Sequence, residues 1–152
     1  KVGAVTAGGY WTKPNQPSFY GRGYNGHNSS DWKFDEVATS AGPHNTGSHF
    51  NNSTGLFTCP VAGNYYIAGG FGYTDAANFI MLGYRLNGTT YLNLWEDGRN
   101  SGNAVNNKHV SASFSLVLKC NANDTLSITG NSSYTMPSTT SVYAWGSIYL
   151  MG

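Results

Sequence analysis

The chain has 152 residues, which is long enough for one domain with a substantial apolar core. Only 10% of the residues are charged and the formal net charge is +1, so the composition offers no electrostatic basis for binding nucleic acid or an anionic membrane. No apolar run approaches the length of a transmembrane helix, and we expect no membrane insertion.

The first residues have the pattern of a segment that leads into a globular domain. Pro14 and Pro17 restrict the backbone around them to extended conformations. We therefore predict an extended lead-in over residues 1–16, arriving from an upstream segment, and one globular head over residues 17–152.

Residues 45–67 predict a loop, a short strand, a turn and a longer strand. The short strand carries Phe57, and Pro60 to Gly63 supply the turn. In the next strand Tyr65 and Ile67 point to the same face, because side chains alternate along a strand.

Alternating apolar residues predict the strands that follow. One apolar face consists of Ile80, Leu82, Tyr84 and Leu86. It is followed at once by Asn87-Gly88, the strongest short hairpin signal. A second run extends from Val110 to Leu118 with serines on its other face, and the turn at 121–124 precedes a strand containing Leu126 and Ile128.

The last predicted strand, residues 142–150, has large or apolar residues on both faces. One face consists of Ala144, Gly146, Ile148 and Leu150. The other carries Tyr143, Trp145 and Tyr149, which is too much aromatic surface for a solvated face, so a second sheet or a partner subunit is expected to cover it. Many short strands separated by turns indicate an all-β sandwich or barrel.

The segment from Asn45 to Ile67, together with the Asn87-Gly88 hairpin and the closing strand, resembles the C1q globular-head family. The positions that carry the core of the resemblance are Phe50, Phe57, Gly63, Tyr65 and Gly146. Ala62 and Ala144 depart from the family pattern, which loosens the subfamily more than the fold. The resemblance implies a ten-stranded antiparallel jelly-roll sandwich, related to tumour necrosis factor, that assembles as a homotrimer. Tyr143, Trp145 and Tyr149 would then lie at the trimer interface.

A second, shorter resemblance concerns the residues before the head. The stretch from Thr12 to Phe19 is similar to the residues that introduce such domains in structural proteins of tailed bacteriophages. It implies a head at the tip of a virion tail fibre or a similar appendage.

The strand order of such a jelly roll implies which loops lie together. The loops at 74–78, 96–109 and 130–141 would meet at one end, which we call the apex. The turns at Asn87-Gly88 and 119–124 would lie at the opposite end, the base. Long polar loops on a rigid scaffold commonly bind ligands. The candidate ligand-binding residues are Asp75, Asn78, Glu96, Asp97, Arg99, Asn100, Asn103, His109, Asn131 and Tyr134.

These side chains suit the hydroxyls and ring faces of sugars, because amides and carboxylates hydrogen-bond diols and Tyr stacks on a ring. Asp75, Glu96 and Asp97 are also candidate oxygen ligands for calcium, the one metal that the pattern suggests. No other cofactor is expected.

No catalytic constellation is visible. The four histidines are scattered, no serine lies in a Gly-x-Ser-x-Gly elbow, and the adjacent Glu96 and Asp97 do not form the opposed pair that glycoside hydrolysis needs. Cys59 and Cys120 lack the neighbouring ligands of a metal site. We expect two buried thiols, with a disulfide as the alternative, because nothing in their spacing determines the distance between them.

We therefore predict a non-enzymatic trimeric recognition head that binds a host-surface glycan or protein through its apex, on the virion surface. Two alternatives remain. The first is a secreted, extracellular lectin or pattern-recognition protein with the same head, and the second is a structural knob that trimerises without binding a ligand.

Overall fold

A computed structural model describes residues 4–5, 11–12, 16–28, 31–37, 42–74, 79–97, 109–130 and 144–151, and all regular structure within them is β-strand. The strands are β1 Ala4–Val5, β2 Trp11–Thr12, β3 Ser18–Asn28, β4 Asp31–Glu36, β5 His44–Thr46, β6 Phe50–Asn51, β7 Leu56–Thr58, β8 Gly63–Thr74, β9 Phe79–Leu86, β10 Thr89–Asp97, β11 His109–Cys120, β12 Thr125–Gly130 and β13 Ala144–Met151. Within the described ranges no helix could cross a membrane.

The antiparallel ladder divides into two halves that share a core. Strands β3, β13, β8 and β11 are neighbours in that order and form the front sheet, with β5 paired to β3. Strands β10, β9 and β12 form the back sheet, and the second edge of β12 pairs with both β7 and β4. The β3–β4 hairpin joins the sheets along one side. This all-β, jelly-roll-like arrangement confirms the predicted fold class.

The strand count differs from the expected ten. The main sheet has eleven strands within the described residues, because β5, β6 and β7 are separate strands of only two or three residues. β1 and β2 form their own antiparallel pair, with Val5 opposite Trp11, inside the predicted lead-in. The ladder of the head continues to Pro17, whose carbonyl accepts a 3.0 Å hydrogen bond from the Leu150 amide.

Aromatic rings fill the space between the two sheets. Phe19 of β3 stacks on Phe50 of β6 with ring centroids 3.8 Å apart, and Phe57 packs edge-on against Tyr65 at 6.0 Å. All four rings are buried, as the place of Phe50, Phe57 and Tyr65 in the family signature predicts. Gly146 is the small member of this core, because a Cβ there would lie 2.7 Å from Cζ of Phe34.

The predicted alternation is confirmed in the two strands that flank β8. In β13 the side chains of Ala144 and Ile148 are buried, whereas Tyr149 and Met151 are exposed. In β11 the serines face outward and Phe114 faces the core. Period-two burial of this kind is what one buried face requires.

The two base turns are tied together by side-chain hydrogen bonds. Asn87 adopts a positive φ of 50° in the hairpin turn, and its Oδ1 accepts a 2.8 Å bond from the Thr125 amide. Its Nδ2 donates to Asp124 Oδ1 at 2.9 Å. This bond, followed by one from the Asn121 amide, lowers the pKa of the Asp124 carboxyl. The two turns therefore lie side by side, as the strand order implied.

Candidate functional site

The strand register brings three chain connections to one end of the head. Thr74 at the end of β8 is opposite His109 at the start of β11, and Phe79 of β9 is opposite Asp97 of β10. β12 ends at Gly130, opposite Leu82, and β13 begins at Ala144, opposite Phe71. The connections 75–78, 98–108 and 131–143 therefore leave the sheets at the same end, which is the apex.

A fourth connection, which the sequence analysis did not assign to the apex, also leaves the sheets at this end. Asn28 ends β3 opposite Asp31, which begins β4, and Asp31 is also opposite Thr129 near the apical end of β12. The Asn-Ser-Ser-Asp stretch at 28–31 is a recognisable turn signal. That signal does not place the stretch at the apex, because its position depends on the pairing of β4 with β12, which no local sequence pattern reveals.

The base holds the opposite ends of the same strands. Ser18 at the start of β3 is opposite Tyr149, and Met151 at the end of β13 is opposite Asn64. Ser18 and Met151 thus lie at the end remote from the apex connections.

The structure describes only part of the predicted ligand-binding set. Glu96 and Asp97 end β10 and His109 begins β11, so all three lie where strands meet the apex. Outside the described residues are Asp75, Asn78, Arg99, Asn100, Asn103, Asn131 and Tyr134. The described residues contain no group of three or more His, Cys, Asp or Glu side chains that could hold a metal. Because Asp75 is not among them, the calcium hypothesis stays a prediction.

A partly buried ionic cluster holds Asp31, the first residue of β4. Ser127 is 1% exposed, and its hydroxyl donates a 2.6 Å hydrogen bond to Asp31 Oδ1. Arg85 Nη1 lies 3.3 Å from both carboxylate oxygens of Asp31. Nε and Nη2 of the same guanidinium donate to the Gly88 carbonyl at 3.0 and 2.7 Å. This Asp31 cluster connects the first residue of β4 to the hairpin turn at the base.

The outer face of the front sheet carries the aromatic residues predicted for the interface. The Trp145 ring packs over Gly70, where a Cβ would approach its Nε1 to 2.6 Å. Tyr149 is 37% exposed and stacks on Tyr66, with ring centroids 4.9 Å apart. Tyr143 lies outside the described residues. Small side chains occupy the middle of the face at Ala68, Gly70, Ser113, Ser115 and Ser147.

Two exposed apolar residues on this side of the head, Val117 and Met151, and the half-buried Tyr66 were missed by the sequence analysis. Tyr66 and Val117 are opposite each other on β8 and β11, and Met151 ends β13. Val117 is 51% exposed and Met151 is 42% exposed. The alternation of β11 does place Val117 outward, so the signal was present. Only the strand pairing shows that these three residues lie on the same face as Tyr149.

The fold and these surfaces describe a jelly-roll head with loops at one end and exposed aromatic residues on one sheet face. A family model for the C1q domain matches residues 22–144, which is most of the chain. The chain belongs to the C1q domain family. C1q domains are recognition modules that typically form trimers and bind ligands.

A solved structure agrees with this family. The globular domain of zebrafish complement 1qA protein is similar to the chain with a TM-score of 0.61 and 15% sequence identity. The match covers 90% of this chain and 98% of that one. At this identity the similarity shows the fold alone. No curated protein matches the sequence.

Proposed function

We propose that this chain is a non-enzymatic, homotrimeric recognition head whose apex binds a glycan or protein on a cell surface. The observation that carries the proposal is the separation of the two ends. Four chain connections leave the sheets at the apex, while Ser18 and Met151 lie at the base. A head tethered through its base presents its apex to a partner.

The composition of the apex connections supports a glycan or a polar protein surface as the partner. Residues 98–108 and 131–143 are rich in Asn, Ser and Thr and contain few charges. Such side chains form shallow hydrogen-bonded contacts, which are individually weak. Three copies around one axis would add these contacts by multivalency.

We place this head at the tip of a virion tail fibre, on the similarity of Thr12 to Phe19 to residues that introduce phage structural domains. The alternative is a secreted recognition protein, since proteins with C1q domains are commonly extracellular or secreted. Both use the same apex. The kind of glycan that is bound distinguishes them, since a tail fibre binds bacterial surface sugars.

Replacing both Trp145 and Tyr149 by Ala is expected to weaken trimer formation. Large aromatic side chains dominate the area and energy of subunit interfaces, so we expect the dissociation constant of the trimer to rise by roughly a hundredfold. Sedimentation velocity across a protomer concentration series measures this change. Val61→Ala is the control, because Val61 is also an exposed apolar residue but lies in the turn before β8.

Trp145 also covers Gly70, so Tyr149→Ala alone is the variant that separates assembly from folding. A double variant that stays trimeric at the wild-type concentration would refute the interface. A wild-type chain that sediments as a folded monomer at micromolar concentration would refute the trimer itself.

Replacing Asp97 and Arg99 by Ala is expected to lower adhesion while leaving assembly intact. Loss of hydrogen bonds to charged groups should weaken binding roughly tenfold at each site. Binding is measured on an array of bacterial and animal glycans. The matched controls are Asp35→Ala and Lys119→Ala, since both residues are exposed and Lys119 lies at the basal end of β11.

Equal losses in the apex variant and the control variants would refute an apical site. If the wild-type trimer binds no glycan and no cell surface, the head is a structural knob.

A further inference from the structure

Two buried cysteines lie at the base, each at the end of a strand of a different sheet. Cys59 follows β7 of the back sheet, and Cys120 is the last residue of β11 in the front sheet. Cys59 is 0% exposed and Cys120 is 2% exposed. Both are free thiols in this structure.

The backbone around the two residues brings them together. The turn that begins directly after Cys120 folds onto Cys59, because the Cys59 amide donates to the Asp124 carbonyl at 2.8 Å. The Asn123 amide in turn donates to the Cys59 carbonyl at 2.7 Å. On its other side Cys120 is opposite Gly63, at the end of the turn that starts after Cys59. Cys59 is therefore held between two chain segments that both adjoin Cys120.

Each thiol affects the pKa of the other. Burial raises the pKa of Cys59, and so do the charge of Cys120 and a side-chain hydrogen bond with it. Burial also raises the pKa of Cys120. Tyr65 lies beside them, and its pKa is raised to about 12, mainly by burial and then by Cys59. Both thiols are therefore protonated near neutral pH and shielded from reagents in the folded head.

We propose that Cys59 and Cys120 form a disulfide bond when the head folds in an oxidising medium, and that this bond joins the two sheets at the base. The oxidant is a small-molecule disulfide such as oxidised glutathione. One cysteine thiolate attacks it and releases a glutathione thiolate, leaving a mixed disulfide. The second cysteine thiolate attacks the mixed disulfide and releases the other glutathione. Two electrons pass to the oxidant, and the two thiol protons pass to the solvent and the released thiolates.

The position of the pair would make such a bond stabilising. It closes the chain from residue 59 to residue 120, and long closed loops restrict the unfolded ensemble most. The bond forms during folding, before burial protects the thiols. It therefore requires that the head folds in an oxidising compartment, because cytosolic thiols are kept reduced.

The test refolds the denatured chain with a mixture of reduced and oxidised glutathione, and in parallel with a reductant. Free thiols are then alkylated, and the protein is digested with trypsin without reduction. We expect mass spectrometry to find the peptide 34–85 linked to the peptide 120–152, with one bond between Cys59 and Cys120. The melting temperature should exceed that of the reduced protein by roughly 10 °C at equal protomer concentration.

The double variant Cys59→Ala/Cys120→Ala is the matched control, and its melting temperature should not respond to the oxidant. Alkylated thiols or separate glutathione adducts in the folded wild-type protein would overturn the proposal. A linked wild-type protein that melts no higher than the reduced form would overturn the stabilising role of the bond. Neither result depends on whether the apex binds a ligand.

Discussion

Asp31→Ala is expected to lower the free energy of unfolding by about 2–3 kcal/mol, because it removes the charged acceptor of a buried hydroxyl and one partner of a partly buried ion pair. The Asp31 and Arg85 side chains are only 11% and 23% exposed, so solvent screens their interaction weakly. The substitution also leaves the buried Ser127 hydroxyl without its acceptor, 2.6 Å away in the native head. Urea unfolding at a fixed protomer concentration measures the change.

Three further variants separate the contributions within the Asp31 cluster. Asp31→Asn keeps an acceptor for Ser127 and removes the charge, so it should cost less than Asp31→Ala. Ser127→Ala should cost about 1 kcal/mol, since it deletes one donor without leaving an orphan. The double variant Asp31→Ala/Ser127→Ala should be less destabilised than the two single losses added together. Strict additivity would contradict the direct hydrogen bond.

Gly55→Ala is expected to destabilise the head by about 2–4 kcal/mol, whereas Gly88→Ala should cost about 1 kcal/mol. The two glycines have nearly equal φ angles, +76° and +78°, so both variants share the penalty of a left-handed alanine. The two positions differ in the room that is available for a Cβ atom. A Cβ at Gly55 would lie 2.7 Å from the Trp32 carbonyl oxygen and 3.0 Å from that of Asp31, but nothing lies within 4 Å at Gly88.

The clash at Gly55 involves backbone atoms, which cannot rotate away as a side chain can. Relief would require β4 to move away from the 51–55 turn, and Asn52 resists this motion. Its side chain accepts from the Phe34 amide at 2.8 Å and donates to the Phe34 carbonyl at 2.7 Å. Thermal and urea unfolding of both variants measure the difference. Equal destabilisation of the two would show that the steric term is absent.

Local periodicity explains why the strand faces could be predicted from the sequence. Alternation in β11 and β13 depends on residues two apart, so it assigned Phe114 and Ile148 to the core and Tyr149 to the outside. Asn87-Gly88 is equally local, because an amide side chain and a glycine accommodate the positive φ of the turn. The family resemblance then supplied the strand order, and with it the common end of three loops.

Long-range pairing explains what the sequence analysis missed. The Asp31 carboxylate meets Arg85 and Ser127, which are 54 and 96 residues away along the chain. No spacing rule connects residues so distant. The same holds for Tyr66 beside Tyr149, whose stacking follows from the pairing of β8 with β13.

The amino-acid order of this protein determined the strand faces, the tight turns and the family signature, since each depends on side chains close together in the chain. Only the tertiary structure decided that β3 ends and β4 begins at the apex, that Asp31 is held by Arg85 and Ser127, and that the segments carrying Cys59 and Cys120 adjoin. The physical reason is that the alternation of side chains along a strand determines which of its faces is buried but not which strand pairs with it. The neighbour is selected when the whole core packs.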